Sequence, residues 1–464
     1  MNGPGVMRPR RPAMSSPRSA SVHPSIRSIG GRRRGQRAAG QRAAVVLFSY
    51  YPTDPRPRRA AEALVNEGMS VDLICLRETK AEPKRETVNG VDVRRVPLRR
   101  RRGGVFGYIF QYATFLLAAM GILASRSLTR RYDLVHVHNM PDILVVSALI
   151  PKLLGAKVIL DLHDPMPELM MTIFNLERNS GAVRTLQRLE RWSIRWADLV
   201  LTTNLAFERL FVSRSCPPGK IRIVMNSPDE GIFPSRPLDL QAPRRRAPDK
   251  PFVVMYHGSL VERNGVDLAV EALARVRESI APAELRIYGA PTPFLDRVME
   301  SVRARGLTDA VRFLGAKRLE EIVEAIAACD VGVIPNHHSV FTELNLPTRI
   351  FEYLAGGKPT IAPRTAGILD YFNEASLIFF EAGDADDLAR RIQDVWADPG
   401  KATEVARRGQ QVYRAHAWHQ QRDVLVDAVG GLLSRGDDQR RFGERSSGGA
   451  SPDPGNELVG TSER

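Results

Sequence analysis

Phe341-Thr-Glu-Leu-Asn-Leu-Pro-Thr-Arg-Ile-Phe-Glu-Tyr-Leu-Ala-Gly-Gly-Lys-Pro359 is the stretch on which the reading of this chain turns. Leu346-Pro347 ends a loop, Thr348 is placed to cap, and Ile350, Phe351 and Leu354 form a one-sided apolar stripe. That pattern predicts a short helix starting near Thr348, with Arg349 and Glu352 one surface turn apart on its other side. Gly356-Gly357 stops the helix, and Thr360-Ile361-Ala362 reads as a buried strand. A helix whose first turn faces a cleft offers free N–H groups and a positive dipole end, which suits the phosphates of a nucleotide. Taken alone, the stretch reads equally as an ordinary amphipathic helix between two strands.

Outward from it, the second half of the chain repeats one grammar. Strands are expected at Phe252–Tyr256, Leu285–Tyr288, Val311–Phe313, Val331–Ile334 and Leu377–Phe380, with helices between them. The first half follows the same rule, with strands at Ala44–Tyr50, Val71–Cys75, Val91–Val96, Leu134–His138, Val158–His163, Leu199–Leu201 and Ile221–Met225. A helix carrying Leu186, Leu189, Trp192 and Trp196 on one side belongs to this half. Each half is therefore expected to be a doubly wound α/β unit. A Pro- and Arg-rich linker separates them at 234–250. The boundaries read as a tail at 1–42, a first domain at 43–233, a second at 251–415, a helix at 416–433 and a tail at 434–464.

A chain of 464 residues exceeds what one core usually serves, and two domains of about 180 residues are the default. The net charge of +15 is largely local, since ten arginines from Arg8 to Arg42 precede the first acidic residue, Asp54. Such a Ser-, Pro- and Gly-rich basic segment cannot bury enough surface to offset its chain entropy, and disorder is expected for 1–42. It could dock on anionic lipid or nucleic acid, or serve as a transit peptide. The globular part carries no RNA or DNA motif, which disfavours nucleic acid as its partner. Cys75, Cys216 and Cys329 lie far apart, with spacing for neither zinc nor a disulfide framework, and a reducing, cytoplasmic setting follows.

Val105 to Ala124 holds twenty residues without a charge, between Arg99-Arg-Arg-Arg102 and Arg126. Its length meets the threshold for a membrane span. Gly107, Gln111, Thr114 and Gly121 dilute it, so a helix buried against a sheet is the expectation, with an interfacial helix as the alternative.

Candidate site residues gather where strands end. His138 and Asp142 follow one strand, and His163, Asp164 and Glu168 follow another. In open parallel sheets ligands bind beyond the carboxyl ends of strands, so these five are expected at one site. They lack helical H-x3-H spacing, and a metal is disfavoured. The first loop, Tyr51-Pro-Thr-Asp-Pro-Arg-Pro57, lacks G-x-G-x-x-G, which excludes the usual dinucleotide fingerprint; its Asp54 and Arg56 are candidates for acceptor contact or for a loop cap. In the second half, His257-Gly-Ser-Leu-Val-Glu-Arg-Asn-Gly265 joins a strand to a helix. Gly258 and Gly265 permit close backbone approach, Ser259 can donate, and Arg263 stands where a diphosphate would be held.

His163-Asp164, Gly258 to Gly265, and Pro347-Thr-Arg-Ile-Phe-Glu-Tyr-Leu-Ala-Gly-Gly-Lys-Pro359 together resemble a family-4 retaining glycosyltransferase of the GT-B fold, over roughly residues 43 to 433. The Leu-Pro-Thr-Arg form resembles a bacterial subgroup with Leu-Pro-x-Lys/Arg before Phe-Glu-Tyr. The resemblance implies two Rossmann-like domains facing a cleft, with a last helix crossing back to the first domain. It further implies a nucleotide-sugar donor on the second domain, an acceptor on the first, and no obligatory metal or other cofactor. Glu352 matches the second glutamate of the family's E-x7-E motif, implying a ribose contact; the first would fall at Leu344, with Glu343 one place early. Ser259 and Asn264 stand where family members commonly have Arg and Lys.

On this reading Arg263, Arg349 and backbone N–H groups, with Gly258, Ser259, Asn264, Gly265 and Thr348 around them, hold the diphosphate. His163 binds the sugar or orients the acceptor, while Asp164, Glu168, His138, Asp142, Asp54 and Arg56 lie on the acceptor side. A lipid-linked or polysaccharide acceptor in a bacterial envelope pathway is expected, with contact to the inner face of an anionic membrane. The rival readings are a nucleotide-sugar 2-epimerase of the same fold and a weakly catalytic nucleotide-sugar-binding protein.

Overall fold

The computed structural model describes residues 38–99, 105–238 and 250–447. Two sheets dominate. The first contains β1 (Arg42–Tyr50), β2 (Ser70–Leu76), β3 (Arg85–Val88), β4 (Val91–Val96), β5 (Leu134–His138), β6 (Lys157–Leu162), β7 (Leu199–Thr202) and β8 (Ile221–Ile223), in the order β3-β4-β2-β1-β5-β6-β7-β8. All its pairs are parallel except β3 with β4. The second contains β9 (Phe252–His257), β10 (Ala283–Tyr288), β11 (Val311–Phe313), β12 (Val331–Val333), β13 (Thr360–Pro363) and β14 (Ile378–Phe380), all parallel, in the order β11-β10-β9-β12-β13-β14.

The physical reason for parallel pairing is visible in the strands. Ala43 to Leu47 is apolar without alternation and buried, because helices cover both faces of the sheet. In each sheet the chain's direction of travel reverses once, between β1 and β5 and between β9 and β12. Loops that leave neighbouring strands in opposite directions open a crevice there.

The last helix, Trp418–Ser447, lies back on the first domain, as the resemblance implied. Leu425, Val429 and Leu433 join Val45, Ala60 and Leu64 in one apolar cluster. The helix continues past Leu433, so the expected tail begins later than expected. Residues 448–464 lie outside the described residues, as do most of the basic tail and 239–249 of the linker. The basic tail ends earlier than its composition suggested. Arg42 is a residue of β1, buried and paired with Asp72, because an ion pair with further hydrogen bonds holds its charge inside.

The uncharged stretch forms the helix Val105–Thr129. Phe115, Ala119 and Leu123, at four-residue spacing, are buried against the first sheet, so the expected buried face exists. The helix expected to carry Leu186, Leu189, Trp192 and Trp196 spans Gly181–Trp196. Leu189 and Trp192 are exposed, whereas Val183, Glu190, Ser193 and Ile194 face inward. Glu190 tolerates burial because Arg214 bridges it to Glu168.

The two domains meet through side chains. Phe341 of the second packs on Phe207 of the first, with ring centroids 6.0 Å apart. The Tyr371 hydroxyl accepts from Leu205 N at 2.9 Å, and Arg209 pairs with Asp370.

Candidate functional site

On the second sheet, β9 ends at His257 and its loop returns through Gly265 into the helix Val266–Val276. Gly265 has φ +66°, and a Cβ there would stand 1.7 Å from the Pro335 carbonyl oxygen. The loops after β9 and β12, the two strands of the reversal, therefore touch at this glycine. Gly258 has φ +124°, and its missing side chain makes room for the Arg349 guanidinium, 3.3 Å from where a Cβ would lie. Asn264 donates to Ser259 O at 2.8 Å, so its amide braces the loop.

The opening stretch forms the helix Thr348–Ala355. Pro347 is its N-cap and no side chain caps it, so Thr348 is the first helical residue and not the cap expected for it; proline at that position leaves no hydroxyl to bond the first turn. Arg349 donates from Nη1 to His257 O at 2.9 Å and lies over the Tyr256 ring, 4.7 Å from its centroid. Glu352, one turn on, places Oε2 3.4 Å from Nε2 of the buried His257. Burial pushes the Glu352 carboxyl up to about 7, against the pull of Arg349 and of Arg59. Burial and Arg349 push His257 down to about 3.

Arg59 was not legible as a site residue. It sits in the helix Pro55–Asn66 of the first domain, stacked 5.3 Å over Trp418 and bonded to Asn226 Oδ1 at 2.6 Å. Its field at Glu352 shows that the first loop of one sheet faces the opening stretch of the other. Two successive arginines on a helix that starts with proline were the only sequence signal for it.

On the first sheet, β5 and β6 bring His138 and His163 together, Nδ1 to Nε2 at 2.8 Å. Asp161 lies below them, 3.3 Å from His138 Nδ1 and 3.4 Å from His136 Nε2. Arg56 grips both oxygens of Asp161, with its shortest contact at 2.6 Å, and donates to Val224 O. Asn139 accepts from His163 N and donates to Asp142 and to Asp164 O, which locks the two loops. The signals for Asp161 and His136 were single polar residues inside otherwise apolar strands. Asp164 is half-buried; burial pushes its carboxyl up to about 6, opposed first by Arg263 across the cleft. Asp54 also raises it, so Asp54, Asp164 and Arg263 share one locality.

Three expected acceptor-side residues are paired inside the first domain. Glu168 is buried with both oxygens on Arg214, Asp142 is buried and held by Asn139, and Arg56 is buried on Asp161. Each is a paired internal group, because a buried charge or carboxyl needs its partners more than a substrate does. His136, His138 and Asp161 offer ligand atoms within 4.8 Å of one another, the spacing of a metal site. The Arg56 guanidinium already supplies the cation for that carboxylate.

Leu344, at the place of the expected first glutamate, packs on the first domain's core. The Glu343 carboxylate accepts from Ala366 N at 3.0 Å and lies 3.2 Å from His338 Nε2.

Two parallel α/β sheets whose strand ends face each other, with a glycine loop and an Arg-Glu helix on the second, define a GT-B-fold protein. Residues 53–227 match the family described as glycosyl transferase 4-like domain, and residues 239–412 match glycosyl transferases group 1. The chain belongs to the GT4-like glycosyltransferases. Glycogen synthase from Mycobacterium tuberculosis is 26% identical over 236 residues, which cover 50% of this chain and 54% of that enzyme. The chain thus spans about half the length of the curated relatives it first matches. Sucrose-phosphate synthase from Thermosynechococcus elongatus shares the fold with TM-score 0.68 at 20% identity, over 85% of this chain and all of that one. Anabaena HepE, solved with UDP-glucose, does so with TM-score 0.61 at 15% identity, over 84% and 99%.

Proposed function

We propose that the protein transfers a sugar from a nucleotide-diphosphate sugar to a lipid-linked or glycan acceptor, with retention at the anomeric carbon. The observation that carries this reading is the meeting of Arg349 and Glu352 with the Gly258–Gly265 loop, opposite His163 and Asp164. Glu352 accepts from the ribose diol, while Arg349, Arg263 and the N–H groups of the opening helix hold the diphosphate. The bond from the anomeric carbon to the diphosphate oxygen breaks, and the acceptor oxygen bonds to the same face of that carbon. The acceptor's proton leaves with the diphosphate. Negative charge grows on the leaving oxygen, so preorganised cations and donors lower the barrier. His163 lies across the cleft to orient the sugar or the acceptor, and domain closure excludes competing water.

No metal takes part in this scheme; Arg263 and Arg349 supply the positive charge. The reading includes membership of a bacterial subgroup, supported by the Leu-Pro-Thr-Arg-Ile-Phe-Glu-Tyr form, and peripheral contact with an anionic membrane. Support for a nucleotide-sugar donor comes from the fold shared with Anabaena HepE, which was solved with UDP-glucose.

A thermal-shift panel of nucleotide diphosphates and nucleotide sugars tests the donor. A ligand at about one hundred times its dissociation constant adds about 2.7 kcal/mol of stability. Product analysis with the donor so found separates transfer from the alternatives. Epimer or free nucleotide diphosphate formed without acceptor would identify a 2-epimerase, and binding without turnover would identify a nucleotide-sugar-binding protein. Near-normal transfer by Glu352→Ala would overturn the site.

A further inference from the structure

Three neighbouring elements cover one face of the first sheet: the helix Val105–Thr129, the segment Asp142–Leu153 and the helix Gly181–Trp196. Their inward residues, among them Phe115, Leu123, Val145 and Ile194, are wholly buried in one core. Their outward residues are apolar as well. Phe110 is 71% exposed, Leu117 61%, Leu153 74% and Trp192 44%. A soluble face normally alternates apolar-in with polar-out, and this layer breaks that rule on adjacent elements.

The exposed charge on the helix Gly181–Trp196 has one sign. Arg184, Arg188, Arg191 and Arg195 are exposed on the helix Gly181–Trp196, and none of them pairs with a carboxylate among the described residues. That helix's single acidic residue, Glu190, is buried on Arg214. Trp192 and Trp196 stack at 6.4 Å, and Lys152 Nζ lies 5.1 Å from the Trp196 ring. With Arg195, Lys220 and Asp198, which pairs with Lys152, they line an open surface cavity of about 670 Å³. At the end of the long helix, Arg130 and Arg131 are exposed.

We infer that this face docks on an anionic lipid bilayer. Phe110, Leu117 and Leu153 enter the acyl boundary, the tryptophans lie at headgroup level, and the arginines meet lipid phosphates. The helix is long and apolar enough to cross a membrane. Crossing would pull Phe115, Ala119 and Leu123 out of the core, so it lies on the surface. This inference deepens the membrane contact of the reading above, and it is read by lipid binding without turnover, so its failure and that of the transferase reading are separable.

The test is co-sedimentation of the full chain with vesicles of phosphatidylcholine, alone or mixed equally with phosphatidylglycerol. Binding is expected to the mixed vesicles and to fall as salt rises. Arg188→Gln with Arg195→Gln should weaken it about thirtyfold, and Phe110→Ser with Leu117→Ser comparably. Both pairs are exposed, and unchanged melting temperatures will show that they fold. Bromine-labelled lipid chains should quench tryptophan fluorescence, and Trp192→Phe should remove most of that quenching. Three results would overturn the inference. Variants that bind like the parent would assign lipid binding to the arginine tail. Equal binding to neutral vesicles would remove the role of charge. A dimer in solution dissociated by Phe110→Ser with Leu117→Ser would make a second copy the occupant.

Discussion

The imidazoles of His138 and His163 meet at the ends of adjacent strands, with Nδ1 of the first 2.8 Å from Nε2 of the second. Burial keeps both neutral, pushing His138 down to about 4 and His163 well below its usual value. Asp161, 3.3 Å from His138 Nδ1, draws the proton to that nitrogen. His163 Nε2 is then the acceptor, and the proton of that ring sits on Nδ1. On the function proposed above, His138 acts through His163, as a positioning residue. His138→Gln should reduce kcat on the order of a hundredfold with a smaller change in donor KM. Steady-state kinetics beside a melting curve checks this, and unchanged kcat would remove the dependence.

Glu352 gives the molecule a pH response. The folded carboxyl keeps its proton to about 7 against an ordinary 4.5. Stability from this group in the free protein is therefore complete below the ordinary value and lost as pH rises through about 7. Donor binding should run the opposite way, since the carboxylate is the better acceptor for a diol. Calorimetric affinity for the nucleotide sugar should strengthen between about pH 6 and about pH 8, and Glu352→Gln should flatten both profiles.

Gly265 holds two loops in contact. Gly265→Ala places a methyl against the Pro335 carbonyl at a positive φ, and should cost about 2 kcal/mol or more, read as a lower melting temperature and weaker donor binding together. Gly383, also at positive φ but with nothing within 4 Å, provides the control. Gly383→Ala should lower stability by the smaller backbone cost alone, about 1 kcal/mol, with donor affinity unchanged.

Arg56 separates an internal role from an acceptor role. Removing it strands Asp161 beneath two neutral imidazoles, and Arg56→Ala should lose about 3–5 kcal/mol of folding stability by chemical denaturation. A stable Arg56→Ala protein with only acceptor KM raised would return Arg56 to the substrate side.

The two α/β halves and the Arg-Glu helix were legible in the sequence because each is written locally: apolar runs for parallel strands, glycines at loop ends, a stripe at helical spacing. The helix Gly181–Trp196 shows where local reading stops. Glu190 is buried in it against Arg214 from across the fold, a pairing that no local pattern contains. Glu168, near the site in sequence, is turned inward by the same arginine.

The sequence by itself determined that two nucleotide-type α/β units exist and that Arg349 and Glu352 share a helix turn, since strand and helix periods are properties of neighbouring residues. Only the tertiary structure decided which charges act on one another: Arg56 pairs with Asp161, while Arg59 acts on Glu352 and Arg263 on Asp164 through their fields. Coulomb interaction depends on distance in space and on burial, and both are products of the completed fold.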